Sequence, residues 1–114
     1  MELVVHDLDS GILGINLSGR MDITGTQKID LKFTALTATR KALILVDLSN
    51  VTFIASIGLR TLITNAKAQK ARGGRIVLYK PTEQVEEVLR ATGIDAIIPI
   101  AHDIEAARGA FDNP

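Results

Sequence analysis

Ala42-Leu43-Ile44-Leu45-Val46-Asp47-Leu48-Ser49-Asn50-Val51-Thr52-Phe53-Ile54-Ala55-Ser56-Ile57-Gly58-Leu59-Arg60 carries a buried strand into a helix. Ala42 to Val46 is apolar without alternation, which a strand covered on both faces requires, so it predicts a central parallel strand that Asp47 ends. Leu59, Leu62, Ile63 and Ala66 recur at helical spacing and predict a helix from Ile57 to about Arg72. Ser56 stands at its N-cap, where a hydroxyl can accept a bond from an N–H of the first turn. Gly73-Gly74 stops the helix, because glycine takes the left-handed C-terminal conformation at little cost.

Upstream, Glu2 to His6 and Ile12 to Leu17 read as two strands joined through Asp9-Ser10-Gly11, a hairpin. Gly19-Arg20-Met21-Asp22 ends the second strand. Thr24 or Thr26 caps a helix that runs to about Arg40, with Ile29, Phe33 and Leu36 on one face. Downstream, Ile76 to Tyr79 is a strand. Pro81 and Thr82 open a helix carrying Val85, Val88 and Leu89, closed at Gly93. Ile97 to Ile100 is a short strand, and Asp103 caps a last helix with Ile104, Ala107 and Phe111 on one side. Strand and helix alternate through the C-terminal two thirds, which calls for parallel strands and right-handed crossovers. The expected fold class is α/β: one domain over 1–114, a small mixed sheet with an N-terminal hairpin and about four helices packed on it.

Composition narrows the chemistry. At 114 residues there is room for one core. With no cysteine there are no disulfides, thiolate metal sites or cysteine nucleophiles. The 13 basic and 13 acidic side chains cancel, and no basic stripe suits a nucleic acid backbone. Three Phe and one Tyr offer no base-stacking platform. The N-terminus lacks the basic and apolar regions of a signal peptide, and no apolar run reaches the roughly 18 residues of a membrane span. A cytoplasmic domain is expected. The two histidines, His6 and His102, are far apart and set no metal-ligand spacing. Neither phosphate-binding glycine loop is present, so no cofactor is expected.

Ser56 has two readings on residue type and position: an N-cap, or an exposed phosphate acceptor. A helix N-terminus tolerates an anion, because its free N–H groups and dipole face it. Phosphorylation there would leave the fold intact and change what the surface can dock against. As a nucleophile Ser56 is poorly equipped, since Ile54-Ala55-Ser56-Ile57-Gly58 lacks the first glycine of the hydrolase elbow and no histidine is nearby in sequence. No catalytic residue is expected. Ile57, Gly58 and Arg60 read either as docking surface or as scattered surface residues. Asp22 reads as a turn or cap residue, or as an acidic contact on the same sheet edge as Ser56. Asp47 reads as a ligand contact at a strand end or as an acceptor for nearby amides. Lys67, Lys70 and Arg72 suit the end of a helix as a solvated face.

The order hairpin, helix, apolar strand, Asp47-Leu48-Ser49, then Phe53-Ile54-Ala55-Ser56-Ile57-Gly58-Leu59, then Gly73-Gly74 and a strand, resembles the STAS domain. Bacterial anti-sigma factor antagonists form this family, which also occurs at the ends of sulphate transporters. Gly19-Arg20-Met21-Asp22 is similar to the family's Gly-x-Leu-Asp, and Val85, Leu89 and Gly93 to the pattern of its third helix. The resemblance implies a switch that is not an enzyme, with Ser56 as the phosphorylated residue and Asp22 as the acidic residue near it. It implies a partner that is both anti-sigma factor and serine kinase, and a phosphatase that resets the switch. Partner contacts would come from Asp22, Ile57, Gly58 and Arg60, in a monomer or weak dimer. The family's Asp-Ser-Ser/Thr-Gly is Ala55-Ser56-Ile57-Gly58 here, which removes one acid and leaves Ser56 as the only acceptor in the loop. Alternatives are a STAS subunit of a lipid-transport ABC complex or a stressosome-like scaffold, or a nucleotide-binding domain.

Overall fold

The computed structural model describes residues 1–8 and 11–112. Its elements are β1 (Glu2–Asp7), β2 (Ile12–Met21), α1 (Ile23–Thr37), β3 (Leu43–Ile54), α2 (Ser56–Ala71), β4 (Arg75–Tyr79), α3 (Glu83–Ala91), a 3-10 turn (Ile94–Ala96), β5 (Ile100–Ala101) and α4 (Ile104–Asp112). The strands form one sheet in the order β1-β2-β3-β4-β5. β1 runs antiparallel to β2, and every other neighbour is parallel. This is the mixed sheet with an N-terminal hairpin that the sequence predicts. Asp9 and Ser10, assigned to the hairpin turn, lie outside the described residues.

Alternate residues of β2, the first half of β3 and β4 serve two cores. Ile15, Leu17, Ile44, Val46, Ile76 and Leu78 point to one face, where they pack with Ile29 and Phe33 of α1, Leu62 of α2 and Leu89 of α3. Ile12, Leu45 and Val77 point to the other face and meet Ala107 of α4. Ala42 to Val46 lacks alternation because helices cover both sides of β3.

β3 is longer than the apolar run suggests. It continues past Asp47 to Ile54, paired only with β2 beyond Asp47. Two register shifts, between Asn16 and Ser18 and between Gly19 and Arg20, each place one additional residue in β3. The buried side chains there are Leu48, Val51 and Ile54, three apart rather than two. Bulges of this kind erase the period-2 signature of a strand, so Asp47 is not the strand's end. The last strand is also corrected. Ile94–Ala96 forms a 3-10 turn and only Ile100–Ala101 pairs with β4, so Ile97 is exposed while Ile98 is buried.

Three polar residues on α2 escape a reading based on polarity. Thr61, Asn65 and Gln69, four apart, are all buried against α1 and the chain that follows it. The Asn65 amide donates to the Thr61 carbonyl at 2.8 Å, and its carbonyl oxygen lies 2.7 Å from the Thr37 hydroxyl of α1. Gln69 donates to the Arg40 carbonyl at 2.6 Å and accepts from the Ala42 N–H at 2.9 Å. Buried polar groups with partners give a helix pair one orientation, since any slip would strand them at about 1–3 kcal/mol each. α2 ends in a Schellman motif: Gly74 N–H bonds the Gln69 carbonyl and Gly73 N–H the Lys70 carbonyl, with Gly73 at φ +86°.

Thr26 breaks this pattern. It is 1% exposed, and its hydroxyl has no partner among the described residues. A buried unpaired hydroxyl costs about 1–3 kcal/mol, so Thr26→Val, which keeps the shape, is expected to stabilise the fold by roughly 1 kcal/mol. Thermal melting measures this, and a loss of stability instead would mean that the hydroxyl bonds something in solution.

Candidate functional site

β2 and β3 are parallel and end together, with Met21 paired to Ile54. Each chain then turns directly into a helix on the same edge of the sheet. Ala55 N–H bonds the Met21 carbonyl at 2.9 Å, which joins the two turns. The first turns of α1 and α2 therefore stand side by side, and each carries glycine at its third position. A Cβ on Gly25 would sit 2.0 Å from the Arg20 carbonyl oxygen. A Cβ on Gly58 would sit 3.0 Å from Ile54 and 3.1 Å from Met21. Both glycines let a helix start lie directly on the strand ends.

The two cap positions differ. Asp22 caps α1: its carboxylate accepts from Gly25 N–H at 2.7 Å. Asp22, not Thr24 or Thr26, is thus the cap. Ala55 holds the equivalent position on α2 and has no polar side chain to offer. Ser56 is the first helical residue rather than the N-cap, and it is exposed. Its hydroxyl is not committed to capping its own helix.

Asp22 and Ser56 are thus brought to one edge of the sheet, where Asp22 serves as a helix cap, one of its two readings. The Gly25 N–H, followed by the Arg20 guanidinium, holds the Asp22 carboxyl below the ordinary aspartate range. A depressed folded-state pKa contributes stability that is present above the unfolded value and lost as pH falls through the folded one. Asn caps a helix about as well as Asp but carries no charge. Asp22→Asn is therefore expected to lose less stability than the parent as pH drops below about 4. Urea unfolding across pH tests it, and parallel curves would contradict it.

Gly58 does not belong to the surface. It is buried, and its role is the close approach just described. Ile57 is half-buried and Arg60 exposed. Both line a groove of about 270 Å³ between α1 and α2, together with Thr26, Asp30 and Thr61. Two surface residues next to this edge carry no signal in a single sequence. Arg20 pairs with Asp22 at 3.5 Å and lies 4.5 Å over the ring of Phe53, its partner across the β2–β3 register. They meet only because the bulges bring positions 20 and 53 opposite each other.

Other candidates lie elsewhere. Asp47 accepts from the Ser49 N–H at 2.8 Å and the Ser49 hydroxyl at 2.6 Å, the local role expected of it. His102 is 2.7 Å from Glu86 of α3, and His6 lies against Gly14. A larger concavity of about 400 Å³, lined by Lys67, Lys70, Arg75, Asp95 and Ile97 among others, sits toward the far end of α2.

The STAS domain family model matches residues 5–107. This chain belongs to the STAS domain family. A STAS relative in Bordetella bronchiseptica, provisionally named anti-sigma factor antagonist BtrV, is 29% identical over 111 residues, spanning 97% of this chain and 95% of the relative. An anti-sigma factor antagonist from Mycobacterium paratuberculosis shares the STAS fold with a TM-score of 0.84 at 22% identity, over 98% of this chain and 94% of that one. The antagonist SpoIIAA, solved in its unphosphorylated form, superimposes with a TM-score of 0.72 at 20% identity, over 95% of this chain and 97% of that one. SpoIIAA from Bacillus in its phosphorylated form gives 0.66 at 18% identity, over 95% and 98%. No helix among the described residues is long and apolar enough to cross a membrane.

Proposed function

We propose that this STAS domain is a cytoplasmic anti-sigma factor antagonist that acts by protein–protein binding and is switched by phosphorylation of Ser56. The observation that carries this is the exposed Ser56 hydroxyl at the first position of α2, beside the Asp22-capped start of α1. The names of its relatives support the same function. The partner is an anti-sigma factor that is also a serine kinase. The unmodified domain binds it through Ser56, Ile57, Arg60 and Asp22, and the sigma factor is released.

The chemistry belongs to the partners. The kinase transfers the γ-phosphoryl of a nucleoside triphosphate: a bond forms between Ser56 Oγ and the γ-phosphorus, and the bond to the β–γ bridging oxygen breaks. The nucleoside diphosphate departs, and the hydroxyl proton passes to a base of the kinase. A phosphatase later hydrolyses the ester. The phosphate adds about −1.5 to −2 charges at neutral pH. At a helix N-terminus the fold tolerates them, whereas inside an interface an unpaired charge costs several kcal/mol. Binding by the purified anti-sigma factor kinase, compared for the parent, Ser56→Ala and Ser56→Asp, tests the proposal.

A further inference from the structure

A phosphate on Ser56 would be stabilised further by a nearby cation, and the surroundings of α2 supply one. Asp22, ionised and on the same sheet edge, raises the local negative charge. Ala55 brings no further acid to the cap position. Arg20 is already engaged, paired with Asp22 and stacked on Phe53. Arg60 has no ion pair among the described residues. It stands four residues beyond Ser56 on α2, and both side chains are exposed. Residues at that spacing share a helix face with Cβ atoms about 5–6 Å apart. Every Cα–Cβ bond tilts toward the helix N-terminus, so Arg60 leans toward Ser56 and not away from it. A guanidinium can also grip phosphate oxygens in bidentate fashion. Asp30, which lines the groove beside Arg60, is the competing acid among the described lining residues and accepts a hydrogen bond from Thr61 at 3.3 Å.

We infer that Arg60 is the built-in counter-ion of phosphoserine at position 56, and that phosphorylation withdraws Arg60 from the docking surface. This rests on Ser56 being the acceptor, as proposed above. Modification then changes the surface twice: a dianion is added, and a cation is turned inward toward it. The local charge is partly compensated, and the domain stays folded.

The test needs neither kinase nor partner. Phosphoserine is installed at position 56 of the full chain by genetic encoding, and its second ionisation is followed by phosphorus NMR. A neighbouring cation favours the dianion, so this pKa is expected to lie about 0.15–0.4 of a pH unit lower in the parent than in Arg60→Gln. Arg60→Lys is expected to retain most of that lowering, because it keeps the charge. Coincident titrations of the parent and Arg60→Gln overturn the inference, and so does a larger change in Arg20→Gln than in Arg60→Gln. Failure of the switch itself is read separately: phosphoserine would then leave anti-sigma factor binding unchanged, whatever the titration shows.

Discussion

Gly25→Ala is expected to destabilise the domain by about 2–4 kcal/mol, while Gly109→Ala is expected to stabilise it by up to about 1 kcal/mol. Both glycines are in helices, where alanine gains about 1 kcal/mol from lower backbone entropy loss. At Gly109 of α4 nothing lies within 4 Å of the new methyl group, so the gain stands. At Gly25 the methyl group would fall 2.0 Å from the Arg20 carbonyl oxygen and 3.1 Å from the Asp22 carboxylate. Backbone cannot step aside as a flexible side chain can, so α1 must lift off β2 or lose its cap. Overpacking of this kind costs about 1–3 kcal/mol or more, and the cap bond adds to it. The steric loss therefore exceeds the propensity gain. Chemical unfolding of both variants reads the difference. Two changes of the same sign would mean that the first turn of α1 does not rest on the strand end.

The second large effect is on binding. Ser56→Asp is expected to weaken capture of the anti-sigma factor about a hundredfold, and Ser56→Ala to leave it within about threefold. One unpaired charge forced into an interface costs roughly 3–5 kcal/mol, and each 1.4 kcal/mol is tenfold in affinity. Aspartate carries one charge on a shorter arm, so it should do less than phosphate. The fold should not respond. Ser56 is exposed on the first turn of α2, where an anion faces free N–H groups and the positive end of the helix dipole. A melting temperature for Ser56→Asp at least as high as that of Ser56→Ala is part of the expectation, because the N-terminal dipole favours the anion. This separates lost binding from a lost fold.

Much of the fold was legible because apolar spacing reports burial directly. Ile29 and Phe33 on α1, Val85 and Leu89 on α3, and the unbroken run before Asp47 all face the cores expected of them. The edge carrying Asp22 and Ser56 was legible for a related reason: two parallel strands that end together deliver both helix starts to one place. What stayed hidden depends on register and on partners. The second half of β3 has its buried residues three apart because of two bulges, and no period reveals a bulge in advance. Gly58 looked like bare surface, yet it is buried against Met21 and Ile54. Thr61, Asn65 and Gln69 look solvated by type, although their spacing of four marks one helix face. Their burial follows from acceptors and donors on α1 and the loop after it, which sequence order does not bring together. The Arg20–Phe53 contact is hidden in the same way.

One exposed hydroxyl, at the junction of β3 and α2, is expected to control partner binding without altering the fold. Calorimetric titration of the purified anti-sigma factor kinase into the unmodified chain, and into the same chain carrying phosphoserine at position 56, tests it most directly. Phosphoserine is expected to lower the affinity by at least about a hundredfold with the circular dichroism spectrum and melting temperature preserved. Equal affinities in a folded phosphoprotein would contradict it.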